Sequence, residues 1–199
     1  MPTNCFERKP LVTVYFDSVV TPLGLVFFGV SEIGVCDLML GETSEVRYRS
    51  RLSEFAVNVC RSRVHGKDLP KQLAEYFSDS HYQFTVSVDL RRSTVFTKRV
   101  LKEVMKCPAG MLMTYGGIAR RIGSPRSGQA VGAALGRNPV PIIIPCHRVI
   151  KRGGNLGGFS HGLSVKRVLL GFEGFKFNEK LRIVVPPEEL RSRLTSTGS

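Results

Sequence analysis

The segment NPVPIIIPCHRVI, residues 138–150, ends a proline-bracketed apolar run on Cys146 and His147. A thiol and an imidazole are the side chains best suited to nucleophilic attack and proton abstraction near neutral pH. A free thiol titrates near about 8.5, so a nucleophilic Cys146 needs a base or positive surroundings. Adjacency alone does not pair the two groups. On an extended strand neighbouring side chains point to opposite faces, and in Cys–His hydrolases the partners are distant in sequence. A contact between them needs a turn, or a water in between. Pro145 supplies an irregular path, because it fixes its own φ and restricts Ile144. Taken singly, a cysteine at the end of an apolar run is more often a small buried hydrophobe.

The elements that must position this segment fall into two halves. Residues 11–40 carry β-branched and aromatic runs broken at TPLG and SEIG, which predicts three short strands joined by tight turns. Residues 46–62 and 69–78 read as helices, the second with Pro70 near its start. Alternation from Tyr82 to Leu90 predicts one more strand. From Ser93 the texture changes. Phe96, Val100, Leu101 and Val104 space as an amphipathic helix ended by Pro108 and Gly110. TYGGIARRIG is a short helix closing at Gly123, SPRSG a turn, and QAVGAALGRN a small-residue helix ending before Pro139. This pair reads as a helix-turn-helix or as an ordinary helical hairpin. Arg120, Arg121, Arg126 and Arg137 tilt it towards DNA. KRGGNLGGFSHG is a glycine-rich loop, and LSVKRVLLGFEG a final helix.

Composition sets the outer limits. The chain has 199 residues, with 29 Lys and Arg against 16 Asp and Glu, a net charge of +13 and a pI near 10.0. That excess favours a polyanionic partner. No apolar run approaches the ~20 residues that span a bilayer, and MPTNCFERKP lacks the apolar core of a secretory signal. Five scattered cysteines without a CxxC fit a reducing compartment, cytoplasmic, or nuclear in a eukaryote. The spacing leaves a Cys36–Cys60 bridge open. The histidines lie far apart and lack finger-like ligand spacing, so no metal and no cofactor is expected.

PCHRV at 145–149, preceded by NPVPIII and followed by GGFSHGLSVKRVLLGFEG, resembles the O6-alkylguanine-DNA alkyltransferases. The resemblance runs continuously over about residues 93–175. It implies an α+β fold: a small N-terminal α/β domain with antiparallel strands (1–90), a mainly helical C-terminal domain (91–180) with the helix-turn-helix and the active-site cysteine, and a tail (181–199). It implies a monomer that binds double-stranded DNA through the minor groove and flips an O6-alkylguanine out of the stack, since the target atom is inaccessible within it. Cys146 would take the alkyl group once and keep it as a thioether. His147, through a water, would be the base, Glu173 its orienter, Tyr115 the aid to base protonation, and Asn138 the tie between the recognition helix and the active-site turn. Ser160 would donate to O6, and the carbonyls of Cys146 and Val149 would receive the exocyclic amine. Leu135, Phe159, His161 and Lys166 complete the expected substrate site. Arg126, Ser127, Gln129, Ala130, Gly132 and Arg137 would face DNA, with Gly128, Ala133 and Ala134 also keeping the recognition helix slim.

Two positions depart from the family pattern. Gln129 stands where an arginine usually enters the DNA stack, which implies weaker capture of the flipped base. His161 stands where relatives commonly have glycine, which implies poorer reaction with bulky O6 substituents such as benzyl. Some relatives bind zinc in the N-terminal half, but Cys5, His65 and His81 do not form a convincing set. Two other classes compete: a non-enzymatic DNA-binding protein, whose known relatives lack the cysteine, and a Cys–His hydrolase. The hydrolase would lack a distant histidine motif, and it would leave the basic charge unexplained.

Overall fold

The computed structural model describes residues 11–79, 81–180 and 182–184. Cys5 and the tail from Pro186 lie outside them. Strands β1 (Leu11–Thr21), β2 (Gly24–Val30) and β3 (Val35–Leu40) form the expected meander. The first turn closes on the Thr21 hydroxyl, and Gly24 there takes φ +93°. β1 and β2 pair antiparallel with Tyr15 opposite Val30, and β2 and β3 pair antiparallel with Val26 opposite Leu40.

Two expectations for the first half fail. The segment 46–62 is not one helix. Helix α1 (Glu45–Ser53) stops, and strand β4 (Ala56–Arg61) pairs parallel with β1, Leu11 opposite Ala56. The sheet therefore adds one parallel pair to the expected antiparallel strands, in the order β3-β2-β1-β4. The misreading has a cause: buried Leu52, Phe55, Ala56 and Val59 sit at i, i+3, i+4 and i+7, which imitates a helical stripe. Pairing to the open edge of β1 and the β-branched Val57 and Val59 decide for strand.

Residues 82–90 likewise form no strand, although Tyr82, Phe84, Val86 and Val88 do point inward onto the core. Only Val88 bridges the sheet, opposite Val35, with Val35 and Asp89 each donating a backbone N–H across. The next free donor on that edge, Leu38 N–H, goes instead to the carbonyl of Pro139 at 2.8 Å. The edge of the N-terminal sheet thus holds the segment that leads into Cys146.

The second half begins with α3 (Val95–Val104), capped by the Thr94 hydroxyl. Its buried Val100, Leu101 and Val104 support α4 (Tyr115–Arg121) and α5 (Gly128–Gly136). The turn between α4 and α5 uses Gly123 at φ +69° and is braced by the Arg99 guanidinium on the Ile122 carbonyl. A two-residue strand β5 (Met113–Thr114) pairs parallel with β6 (Val149–Ile150). α6 (Leu163–Phe172) closes the described chain's helical part. One apolar cluster joins Phe28 and Leu38 of the sheet, Leu69 and Leu73 of α2 (Asp68–Ser78), and Val100, Ile118, Val131 and Ile144. The two halves share a core.

Candidate active site

Residues 138–150 form a buried turn. The Ile144 N–H bonds back to Val140 O at 2.9 Å, and Ile142 takes φ +73°. A β-branched residue in that region is strained, and such strain persists only where the surroundings over-determine it. Ile142 is 1% exposed, clamped on all sides. The turn delivers Pro145, and Cys146–Arg148 follow as one 3-10 turn. On that turn successive side chains leave in different directions, so Cys146 and His147 do not compete for one space.

Cys146 Sγ accepts from Asn138 Nδ2 at 3.0 Å, and the same amide nitrogen holds Ile144 O at 2.9 Å. Asn138 Oδ1 in turn receives the Val140 N–H at 3.1 Å. Asn138 therefore ties the end of α5 to the thiol. Burial pushes the Cys146 thiol up, and the Asn138 amide and the Lys166 charge pull it back only in part. The resting group is a thiol that needs a base.

His147 is fully buried, with Nε2 2.9 Å from Glu173 Oε1. Burial lowers its pKa. Glu173 works the other way, and Arg148 and Lys166 add to the lowering. The neutral imidazole donates Nε2–H to the carboxylate, which leaves Nδ1 as its lone-pair nitrogen. Nδ1 is buried and has no hydrogen-bond partner among the described residues.

Glu173, at the end of α6, is where several elements meet. Arg148 reaches it through Nε at 3.0 Å to each oxygen and through a second guanidinium nitrogen at 2.8 Å. Arg148 also donates to Cys107 O at 2.6 Å. Burial alone would raise the Glu173 pKa, but the bonds and charges of His147 and Arg148 outweigh it and bring it to about 2. The tyrosine of α2, Tyr76, donates to Oε1 at 3.1 Å. Sequence reasoning missed both Arg148 and Tyr76. Arg148 stood inside the quoted motif, but an arginine there carries no sign of burial. Tyr76 lies in the other half of the chain, and its spacing gave no signal at all.

A cavity of about 280 Å³ opens over the thiol, lined by Tyr115, Gly132, Leu135, Cys146, Phe159 and Ser160 among others. The β5–β6 pair sets Tyr115 beside this loop, because Thr114 lies opposite Ile150 and caps α4 through Gly117 N–H. Tyr115 packs against Gly157, which has φ +68° and where a Cβ would fall 2.8 Å from the tyrosine oxygen. Only glycine fits that position.

Three expected substrate residues are not among those that line this cavity. Lys166 is buried behind the wall and donates to Val149 O and Leu156 O at 2.6 Å each, and more weakly to Gly158 O. It clamps the glycine-rich loop to the motif, and burial lowers its pKa to about 8. Val149 lies in β6 with its carbonyl on Lys166. His161 hydrogen-bonds Ser160 at 3.1 Å and lines a neighbouring groove of about 610 Å³, along with Asp37 and Arg51.

Along α5 and its flanks, Gln129, Ala130 and Ala133 are exposed, as are Arg126 and Arg137. Ser127 is half-buried with its hydroxyl on Ser124 O at 2.6 Å. Among the described residues Cys36, Cys60, Cys107 and Cys146 are all free thiols, so Cys36 and Cys60 are not bridged. His65 stacks on Tyr15, and His81 contacts Asp79. No described helix is long and apolar enough to cross a membrane.

Residues 95–175 match the family model of the 6-O-methylguanine DNA methyltransferase DNA-binding domain. A methylated-DNA–protein-cysteine methyltransferase of Methanosarcina barkeri is 34% identical over 160 residues, 80% of this chain and 97% of that protein. This chain belongs to the methylated-DNA–protein-cysteine methyltransferase family. The Mycobacterium bovis member is 46% identical over 102 residues, and there the match spans 51% of this chain and 61% of the relative. The fold agrees as well. The Mycobacterium tuberculosis O6-methylguanine methyltransferase superposes with a TM-score of 0.69 at 32% identity, covering 87% of this chain and 96% of that one. The structure of Mycobacterium tuberculosis OGT in complex with DNA gives 0.69 at 35% identity, covering 80% and 92%. Cys146, His147, Glu173, Tyr115 and Asn138 all fall inside the matched family segment.

Proposed function

We propose that this chain repairs double-stranded DNA by moving the alkyl group of O6-alkylguanine onto Cys146, once per molecule. The observation that carries the reading is a buried Cys146 thiol at the cavity of about 280 Å³, on the same turn as a histidine whose other nitrogen is fixed by Glu173. These groups would serve as nucleophile, base and orienter.

The lesion base enters the cavity out of the stack, which gives the thiol access to the alkyl carbon. The Sγ proton leaves through a water to His147 Nδ1. The new S–C bond forms as the C–O6 bond breaks, and the electron pair of that bond stays on guanine. A hydrogen bond from Ser160 to O6 and a proton from the Tyr115 hydroxyl turn that poor anionic leaving group into neutral guanine. The imidazolium returns its proton through solvent to Tyr115. Leu135, Phe159 and Gly132 enclose the base, and the Cys146 and Val149 carbonyls receive its exocyclic amine, Val149 O keeping one lone pair beside the Lys166 bond. A thioether has no ready hydrolytic exit, so the product is a spent protein. No metal or cofactor takes part.

The helix-turn-helix is the DNA-facing part, and the small residues of α5 suit close approach in the minor groove, where readout is nearly sequence-blind. Arg126, Ser127, Gln129, Ala130, Gly132 and Arg137 lie along that approach, and the protein acts as a monomer in the cytoplasm or nucleus. His161 limits bulky substituents from the rim, through its bond to Ser160. A duplex with a radiolabelled O6-methylguanine tests the reading. Label passes to the wild-type chain and stays on DNA with Cys146→Ser. Label transfer by Cys146→Ser would overturn it.

A further inference from the structure

Tyr76 belongs to α2 of the N-terminal half, yet its hydroxyl ends on the Glu173 carboxylate. It is 1% exposed and lies 3.1 Å from Glu173 Oε1, the oxygen that also accepts from His147 Nε2. Leu69 and Leu73 seat α2 in the shared core, and the Tyr76 ring packs against Phe77 and Phe84 at 5.1 and 5.5 Å between centroids. A buried tyrosine needs a partner for its hydroxyl, and here that partner is Glu173. Burial, with the Glu173 charge next, pushes the hydroxyl pKa far up, so it remains a donor throughout the working pH range.

We propose that Tyr76 is a positioning residue for the transfer: by sharing Oε1 it sets how much of the Glu173 charge reaches His147. The proposal rests on the reading of His147 as the base. Oε1 receives His147, two guanidinium nitrogens of Arg148 and Tyr76. Removing the neutral donor leaves more negative charge facing the imidazole and stabilises its protonated form. The other groups around the pair are Arg148 and Lys166, with Cys146 on one side and Cys107, itself near Arg121, on the other. None of them is altered by Tyr76→Phe, which keeps the ring and removes only the hydroxyl. The N-terminal half thereby takes part in the chemistry as well as in the packing.

The experiment compares wild type with Tyr76→Phe in two ways: the pH profile of the single-turnover rate, and the NMR titration of the His147 ring without DNA. The expected result is an upward shift of the acid limb and of the His147 titration by roughly half a pH unit, a fraction of what a full neighbouring charge produces. An unshifted titration overturns the proposal, even if the plateau rate falls, because slowing alone is what loose packing would do. The titration decides on Tyr76 even if the wild type transfers no methyl group. Failure of the reaction and failure of this proposal are therefore distinguishable.

Discussion

At the scale of single residues, the site depends on one buried anion. Glu173 has 0% side-chain exposure and holds two cation-capable partners, His147 and Arg148. Its depressed pKa means that its stabilising contribution is in place above the ordinary carboxylate value of 4.5. That contribution is lost as pH falls from there towards about 2. Glu173→Gln leaves Arg148 buried without its counter-charge, at an expected cost of about 3–5 kcal/mol. Chemical denaturation of the two proteins at pH 7 and pH 3 checks this: the gap narrows at the lower pH, and a constant gap contradicts it. The lowered His147 pKa has the opposite use. The imidazole remains neutral, and competent as a base, from pH 7 to below the ordinary value of 6.5. The transfer rate should therefore hold level across pH 7 to 6.5 and decline only further down. A single-turnover profile with its acid limb above 6.5 would count against this.

At the scale of elements, α5 presents exposed Gln129, Ala130 and Ala133. A neutral glutamine can bond an orphaned base but lacks the stacking plane and charge of a guanidinium. Gln129→Arg should raise the rate of lesion capture several-fold in stopped-flow assays with a fluorescent base opposite the lesion, and equal rates would remove the case for Gln129 as a weak link. The helix-turn-helix was legible because its glycines and capping residues act within a few positions, Thr114 on Gly117 N–H and Gly123 in the turn. The meander was legible for the same reason. β4 was not, because Leu52, Phe55, Ala56 and Val59 match a helical stripe and only the neighbouring strand decides. The segment 82–90 showed its inward-facing side chains in the sequence, but not that Pro139 would claim the next donor on the sheet edge. Cys146, His147 and Asn138 lie within one quoted motif, and Tyr115 was carried by the family resemblance. Lys166 was read as part of the substrate site, whereas its bonds to three carbonyls depend on contacts with distant residues.

At the scale of the whole molecule, charge is divided between the halves. Residues 11–90 hold seven Lys and Arg against ten Asp and Glu, and residues 91–180 hold 17 against three. The half carrying the helix-turn-helix and Cys146 therefore presents the positive field, and the other half supplies the sheet edge under Pro139 and the hydroxyl on Glu173. Binding to duplex DNA should weaken steeply with salt, by about 0.9 in log K per unit of log salt for each phosphate neutralised. Replacing exposed Arg126 and Arg137 together by alanine should reduce that slope by about two. Fluorescence anisotropy over a salt series reads it, and an unchanged slope would place the DNA on another face.

The most direct test of the reaction is mass spectrometry of the chain after incubation with excess duplex containing O6-methylguanine. One added methyl group per chain is expected, on the Cys146 sulfur in the peptide spanning residues 138–150, with an equal amount of guanine restored in the DNA. A methyl group on any other residue, or more guanine restored than protein present, would contradict it.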